Sequence, residues 1–232
     1  MDHGANRETG LLANVIAEQL KHKIQSMEYR AGDRLPVRQL CEEFNTSETP
    51  VKQALNQLAA IGLVVATPKC GMRVRSFTFE DMRNVLEARL MIEQFCARDA
   101  VLRVRQDQDY TGSVQAVLEE CNRDYRLCVE DFSKANFTQA HEADGRLHFA
   151  LVSASRNPEI INLYRTLNTH AGMFTSFEKH TPDTMRQVIR EHSDIVNALL
   201  ICDTDGLRSA LERHIRSTLR ILKGPEEEQT PD

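Results

Sequence analysis

The sequence has no tryptophan, and aromatic residues make up only 6% of its 232 positions. Glycine and proline are also scarce, at 10 and 7 residues, which excludes collagen-like repeats and long low-complexity tracts. No apolar run approaches the roughly 18 residues that a membrane-spanning helix needs, so no membrane partner is expected. The opening stretch MDHGANRETG lacks a basic region followed by an apolar core, and no signal peptide is expected. The six cysteines (Cys41, Cys70, Cys96, Cys121, Cys128 and Cys202) contain no C-x-x-C pair. Most fall on apolar helical stripes, as reduced core cysteines of a cytoplasmic protein do. Leucine, alanine, glutamate and arginine are abundant, and with so little glycine they point to a mostly helical chain.

The net charge is −5, which argues against a surface wholly devoted to nucleic acid. The average hides an asymmetry. Residues 1–78 carry 10 Lys and Arg against 8 Asp and Glu, whereas the remainder carries 19 against 26. A slightly basic head therefore precedes an acidic body, which suggests two jobs.

In the head, Leu11, Leu12, Val15, Ile16, Leu20, Ile24 and Met27 recur at helical spacing and define one amphipathic helix. YRAGDRLP supplies a turn, with Pro36 opening a short second helix marked by Val37, Leu40, Cys41 and Phe44. NTSETP turns the chain into a third helix carrying Val51, Leu55 and Leu58. Pro50 sits in its first turn, where a missing N–H costs nothing because the first four have no intrahelical partner. Thr46 or Ser47 can cap those donors. The arrangement projects Ser47, Glu48, Thr49 and Lys52 away from the apolar face. Two short helices joined by a tight turn, the second presenting polar groups at its start, read a major groove in helix-turn-helix proteins. The alternative is an ordinary capped surface helix. GLVVATPKCGMRVRS then reads as a strand over Leu63–Thr67, a turn, and a strand over Met72–Arg75. Such a hairpin is a wing, with Lys69 and a glycine at its tip.

The run LPVRQLCEEFNTSETPVKQALNQLAAIGLVVATPKCGMRV resembles the DNA-binding signature of GntR-type bacterial transcription regulators over about forty residues. The resemblance implies operator contacts at Arg38, Ser47, Thr49, Lys52, Lys69 and Gly71. Two positions depart from the family pattern: Glu48 stands for an arginine, and Lys52 replaces a second arginine and loses its bidentate fork. Glu48 either accepts from a cytosine amino group or points away from DNA.

Beyond a short connector the pattern is helical in six stretches: 79–105, 109–130, 133–154, 157–178, 182–203 and 205–223. Breaks fall at Asp107/Asp109, Ser133, Asn157-Pro158, Thr181-Pro182 and Asp205-Gly206, and Thr78 with Asp81 reads as a capping box. The expected fold is mainly α: a winged helix-turn-helix with a small β-hairpin over 1–76, an all-α bundle of about six helices over 77–224, and a polar tail over 225–232.

Within the bundle, Asp144 and His148 lie one helical turn apart on an otherwise apolar face. His192 and His214 sit beside apolar stripes of two later helices. Singly, each histidine reads as a hydrogen-bonded core residue. Together, three imidazoles and a carboxylate make a candidate divalent-metal site. This pattern resembles the FCD effector domain of the FadR/FCD branch of the GntR family. There the four matched positions hold a metal, often zinc, nickel or manganese, and open coordination positions take a small carboxylate effector. LEARLMIEQFCARDA resembles the family's first-helix segment, which implies that Arg89 pairs an effector carboxylate. The alternative for Arg89 is a surface position or a pair with Glu93. By the same resemblance Asn157 helps to end a helix. His141 lies one turn before Asp144, either as a decoy or in support of the ligands, and His170 and His180 match no motif.

These readings converge on a non-enzyme: a metabolite-responsive regulator, in most relatives a repressor, that binds an inverted-repeat operator in double-stranded DNA as a homodimer. It would sense a small organic or sugar acid through a divalent metal, zinc first. Two alternatives are a pure metal sensor and a metal-dependent hydrolase or lyase with Glu142, Glu191 or Asp194 as base.

Overall fold

The structure is a computed structural model that describes residues 3–68, 70–173 and 177–224. Lys69, the tail over 225–232 and the side chain of His170 lie outside the described residues. The chain divides into two compact units, Met1–Phe77 and Thr78–Asp232.

The first unit contains α1 (His3–Gln25), α2 (Val37–Glu43), α3 (Glu48–Ala60) and the strands β1 (Val64–Thr67) and β2 (Gly71–Val74). Both α1 and α2 pack on α3. The stripe that α1 buries is Ala13, Ile16, Ala17, Leu20 and Ile24, against Val51, Ala54, Leu55 and Leu58 of α3. The apolar stripe read from the sequence is therefore rotated. Leu11, Leu12 and Val15 are exposed, and Ala13 and Ala17 are buried instead. Met27 lies past the helix end in a left-handed conformation. Pro50 occupies the first turn of α3 and is buried. Ser47 is the N-cap residue, but its side chain makes no cap hydrogen bond. The turn before it runs through Asn45 at φ 47°, a conformation that asparagine tolerates better than most residues. The strands pair antiparallel from Val64↔Val74 to Thr67↔Gly71, one residue off the expected limits, and Arg34 bridges to Arg73 at the edge. Gly71 sits at φ 77°, which the tight turn requires and which a side chain would strain.

The second unit is an α-helical bundle: α4 (Phe79–Gln106), α5 (Gln108–Glu130), α6 (Lys134–Ser153), α7 (Pro158–Met173), α8 (Pro182–Leu200) and α9 (Thr204–Lys223). Helix α5 packs on α6 and α8, α4 packs on α9 and α7, and α8 packs on α9. Leu147, Leu151, Tyr125, Phe137, Leu199 and Leu211 fill the middle. Polar caps set the boundaries: Asp107 accepts from Tyr110 N–H, Ser133 from Asn136 N–H and Asp203 from Gly206 N–H. Thr78 and Thr181 form reciprocal capping boxes.

The described elements differ from the sequence reading at two places and in the role of one residue. Of the stretch over 157–178, Pro158–Met173 is helix α7 and Phe177–Lys179 forms a 3-10 turn, while 174–176 lie outside the described residues. Helix α8 stops at Leu200 because Cys202 turns left-handed at φ 60°, so the break precedes Asp205-Gly206. Asn157 starts a helix rather than ending one. Its Oδ1 accepts from the N–H groups of Glu159 and Ile160, which are orphan donors of the first turn of α7. Among the described residues no helix is long and apolar enough to cross a membrane.

The Thr78–Asp81 box satisfies two otherwise unpaired donors at the head of the longest helix. Thr78→Ala should lower unfolding stability by about 1 kcal/mol, read as a shifted urea midpoint at unchanged slope.

Candidate functional site

Asp144, His148, His192 and His214 each offer one ligand atom, and these atoms all lie within 4.8 Å of one another. Helix α6 supplies the first two at i, i+4, α8 supplies His192, and α9 supplies His214. The Nε2 atoms of His148, His192 and His214 stand 3.9, 2.9 and 3.8 Å from Asp144 Oδ1. All three imidazoles are buried, and Asp144 is 14% exposed.

The opposite nitrogen of each ring is anchored. His148 Nδ1 lies 2.8 Å from Glu93 Oε2, and His214 Nδ1 lies 3.0 Å from Glu191 Oε2. His192 Nδ1 lies 3.4 Å from Cys121 Sγ. A carboxylate only accepts, so His148 and His214 donate Nδ1–H and turn the Nε2 lone pair inward. The Nε2 atom of His148 is buried without a hydrogen-bond partner, and that of His192 meets only the Asp144 carboxylate. Lone pairs converging on a carboxylate suit a divalent cation, and the N,N,N,O donor set fits zinc, nickel or manganese.

The electrostatics agree. Burial opposes the charge on Asp144, but His148, His192 and the Arg89 guanidinium hold its carboxyl well below the usual range. Burial pushes His192 down to about 4, against the pull of Asp144. Burial also lowers His148, against Glu93. Glu93 is held at about 2 by His148 and Arg89 despite its own burial. Asp144 is thus a charged carboxylate facing neutral imidazoles at His148 and His192, the protonation state that a metal requires.

Arg89 on α4 is only 4% exposed and belongs to the same network. Its Nε donates to Glu93 Oε1 at 2.7 Å and to the Tyr164 hydroxyl at 3.0 Å. One Nη lies 3.4 Å from Asp144 Oδ2. The structure pairs this arginine with Glu93, the alternative read from the sequence, and also sets it beside Asp144.

Glu93, Glu191, Tyr164 and Cys121 are supporting residues; the sequence reading named Glu93 only as a possible partner of Arg89 and Glu191 only as a base in the enzyme alternative, and gave Tyr164 and Cys121 no role. Glu93 and Glu191 lie on the helices of Arg89 and His192, and a carboxylate one turn or one residue from each was the available signal. Tyr164 carries none, because it meets Glu93 across 71 residues. His141 is not among the ligands; it contacts Tyr125 and His180 instead.

In the first unit, Arg38, Ser47, Glu48, Thr49 and Lys52 are all exposed on α2 and at the head of α3, and Gly71 is exposed in the wing. Glu48 pairs with Lys52 at 2.6 Å, one turn apart, so each masks the other's charge. Lys52 lowers the Glu48 carboxyl, and Glu48 raises the Lys52 ammonium. The wing adds two cations to which the sequence reading assigned no role. Arg34 donates to Cys70 Sγ at 3.3 Å, and Arg73 donates to Gly32 O at 2.7 Å.

Two further histidines, His141 half-buried and His180 buried, should make stability pH-dependent. Burial pushes His141 down to about 3 and His180 to about 4. The unfolded chain protonates its histidines near about 6.5, so between these values it holds more protons than the folded chain. Stability is therefore complete above about pH 6.5 and falls as the pH drops toward 4. In chelator-containing buffer the urea midpoint should decline from about pH 7 to 5, and His180→Phe should flatten that decline. An identical slope in the variant would remove His180 from this account.

Comparison with known proteins places this geometry. The pattern of the FCD domain matches residues 84–217, and that of bacterial regulatory proteins of the gntR family matches residues 12–74. The Nta operon transcriptional regulator of Aminobacter aminovorans is 28% identical over 86% of this chain and 90% of its own length. The HTH-type transcriptional repressor RspR of Escherichia coli (strain K12) is 28% identical over 80% of this chain and 77% of its own. The solved structure of E. coli McbR/YncC shares the fold with a TM-score of 0.76 at 21% identity, covering 91% of this chain and 96% of that one. The chain belongs to the FadR/FCD branch of the gntR family, and is a DNA-binding transcriptional regulator rather than an enzyme.

Proposed function

We propose that the protein is a metabolite-responsive repressor of the bacterial cytoplasm. Its second unit holds one divalent metal at Asp144, His148, His192 and His214, with a small carboxylate effector bound against the metal and Arg89. The single observation that carries this reading is the convergence of three anchored imidazoles on a charged carboxylate, with the buried Nε2 atom of His148 left without a partner and that of His192 facing only Asp144. Burying such atoms is costly unless something binds them. The metal would supply Lewis acidity toward a carboxylate oxygen, and the Nη edge of Arg89 beside Asp144 would donate to the other oxygen. Zinc is the first choice and nickel or manganese the next.

DNA contacts fall to Arg38, Ser47, Thr49, Lys52, Lys69 and Gly71, with Glu48 acting through its pair with Lys52. That pair leaves the head of α3 with hydroxyls rather than cationic forks, so base preference should differ from that of arginine-bearing relatives. Repression follows the named role of the relative RspR. Effector binding switches the protein only if the two conformations hold the ligand with different affinity.

A zinc titration of chelator-stripped protein should show one site per chain, and His214→Ala should weaken it by more than about tenfold. With an operator selected from random DNA, adding a matching acid to zinc-loaded protein should release the DNA. Release by zinc withdrawal alone, with every acid inert, would instead establish a metal sensor.

A homodimer on an inverted repeat is supported by a stripe on α4 and α7. Met91, Phe95 and Leu102 recur on one face of α4 at 65%, 66% and 40% exposure, and Leu163 of the adjoining α7 is 57% exposed. Apolar side chains of this size in a row mark a protein contact. Phe95→Asp should convert a dimer to a monomer in light scattering and weaken operator binding severalfold or more. A dimer unchanged by the substitution would place the interface elsewhere.

A further inference from the structure

A second group of unsatisfied imidazoles adjoins the ligand cluster. Among the described residues, six buried side-chain polar atoms have no hydrogen-bond partner, and five are histidine nitrogens. Two are Nε2 atoms at the candidate metal centre, that of His148 and that of His192, which meets only the Asp144 carboxylate. The other three are His141 Nε2 and both ring nitrogens of His180. His180 is only 5% exposed and precedes α8, while His141 lies one turn before Asp144 on α6. Their ring centroids are 5.5 Å apart. Tyr125 joins the two groups: its hydroxyl lies 3.3 Å from His141 Nδ1, and its ring stands edge-on to His192 at 5.5 Å.

Core histidines ordinarily satisfy both ring nitrogens. Phe137 packs on both rings and accounts for their shape but offers them no hydrogen bond. A ligand group would. Burial keeps both rings neutral. A neutral imidazole carries one donor and one acceptor, which suits a hydroxyl. Neutral rings do not offset the charge of a second carboxylate, and an alkyl chain would leave the nitrogens unpaired.

We propose that His141 and His180 form the hydrogen-bonding end of the effector pocket, and that the effector is a hydroxycarboxylic acid. Its carboxylate goes to the metal and Arg89, and its hydroxyl groups go to the two imidazoles. This assignment rests on the effector reading given above and adds the chemical class of the ligand.

The test is calorimetry on the zinc-loaded full chain with matched acids: glycerate against propionate, gluconate against hexanoate, and succinate as the dicarboxylate. At least one hydroxy acid should bind about tenfold or more tighter than its deoxy partner and than succinate. His180→Phe and His141→Phe should erase that preference, while His180→Gln, which keeps a donor and an acceptor, should retain it. Zinc affinity should be the same in all of them, and each variant's melting transition reports whether it is folded. Equal or tighter binding of the deoxy acids or succinate overturns the assignment, as does a hydroxyl preference that survives in folded His180→Phe. Loss of zinc affinity in that variant would make the pair metal ligands and overturn it too. Zinc binding with no response to any acid refutes the effector reading itself, and this assignment falls with it.

Discussion

The Glu93 carboxylate is the contact on which the FCD domain depends. It is fully buried and takes hydrogen bonds from Arg89 Nε, the Tyr164 hydroxyl and His148 Nδ1. An isolated carboxylate in that interior would stay protonated, so its charge exists only because these donors surround it. In return Glu93 fixes the His148 tautomer and holds Arg89 beside Asp144. Removing one member of such a group strands the others, which makes the arrangement cooperative rather than a sum of pairs. Glu191 plays the same part for His214, at a less buried position.

This network also explains the bundle's order. Arg89 and Glu93 come from α4, Cys121 and Tyr125 from α5, Asp144 and His148 from α6, Tyr164 from α7, His192 from α8 and His214 from α9. Every helix of the domain contributes a polar group to one interior region, around which the apolar core closes. A metal bound there would tie together α6, α8 and α9. A ligand that alters the metal's surroundings would therefore act on several helices at once, as a sensor domain requires. The DNA-binding unit needs no such centre. Packing of α1 on α3 and a proline-started recognition helix set its geometry, and the Glu48–Lys52 pair tempers its charge.

Much of this was legible in the residues. Thr78, Asp107, Ser133 and Thr181 announced helix starts because capping is a local interaction between a side chain and the next few N–H groups. Asp144 and His148 announced a shared face because helical geometry alone puts i and i+4 together. Arg89 was legible as a pocket residue only through the family resemblance. The apolar stripe of α1 was misread at Leu11, Leu12 and Val15, since hydrophobicity does not say which of two adjacent stripes a neighbour will cover. Asn157 was read as a terminator although its side chain caps the next helix. An asparagine at a junction suits either role until the chain direction beyond it is known.

The sequence by itself determined the element types, most of their starts, the winged helix and the identity of the four candidate ligands. All of these follow from spacings of a few residues or from a motif written contiguously. Only the tertiary structure decided which nitrogen of each histidine faces the centre, that Tyr164 and Cys121 serve it, and that His141 and His180 stand together with nitrogens to spare. Those facts depend on side chains tens of residues apart meeting across helix interfaces, where packing and the cost of burying an unpaired charge select the partners, and no local pattern records that selection.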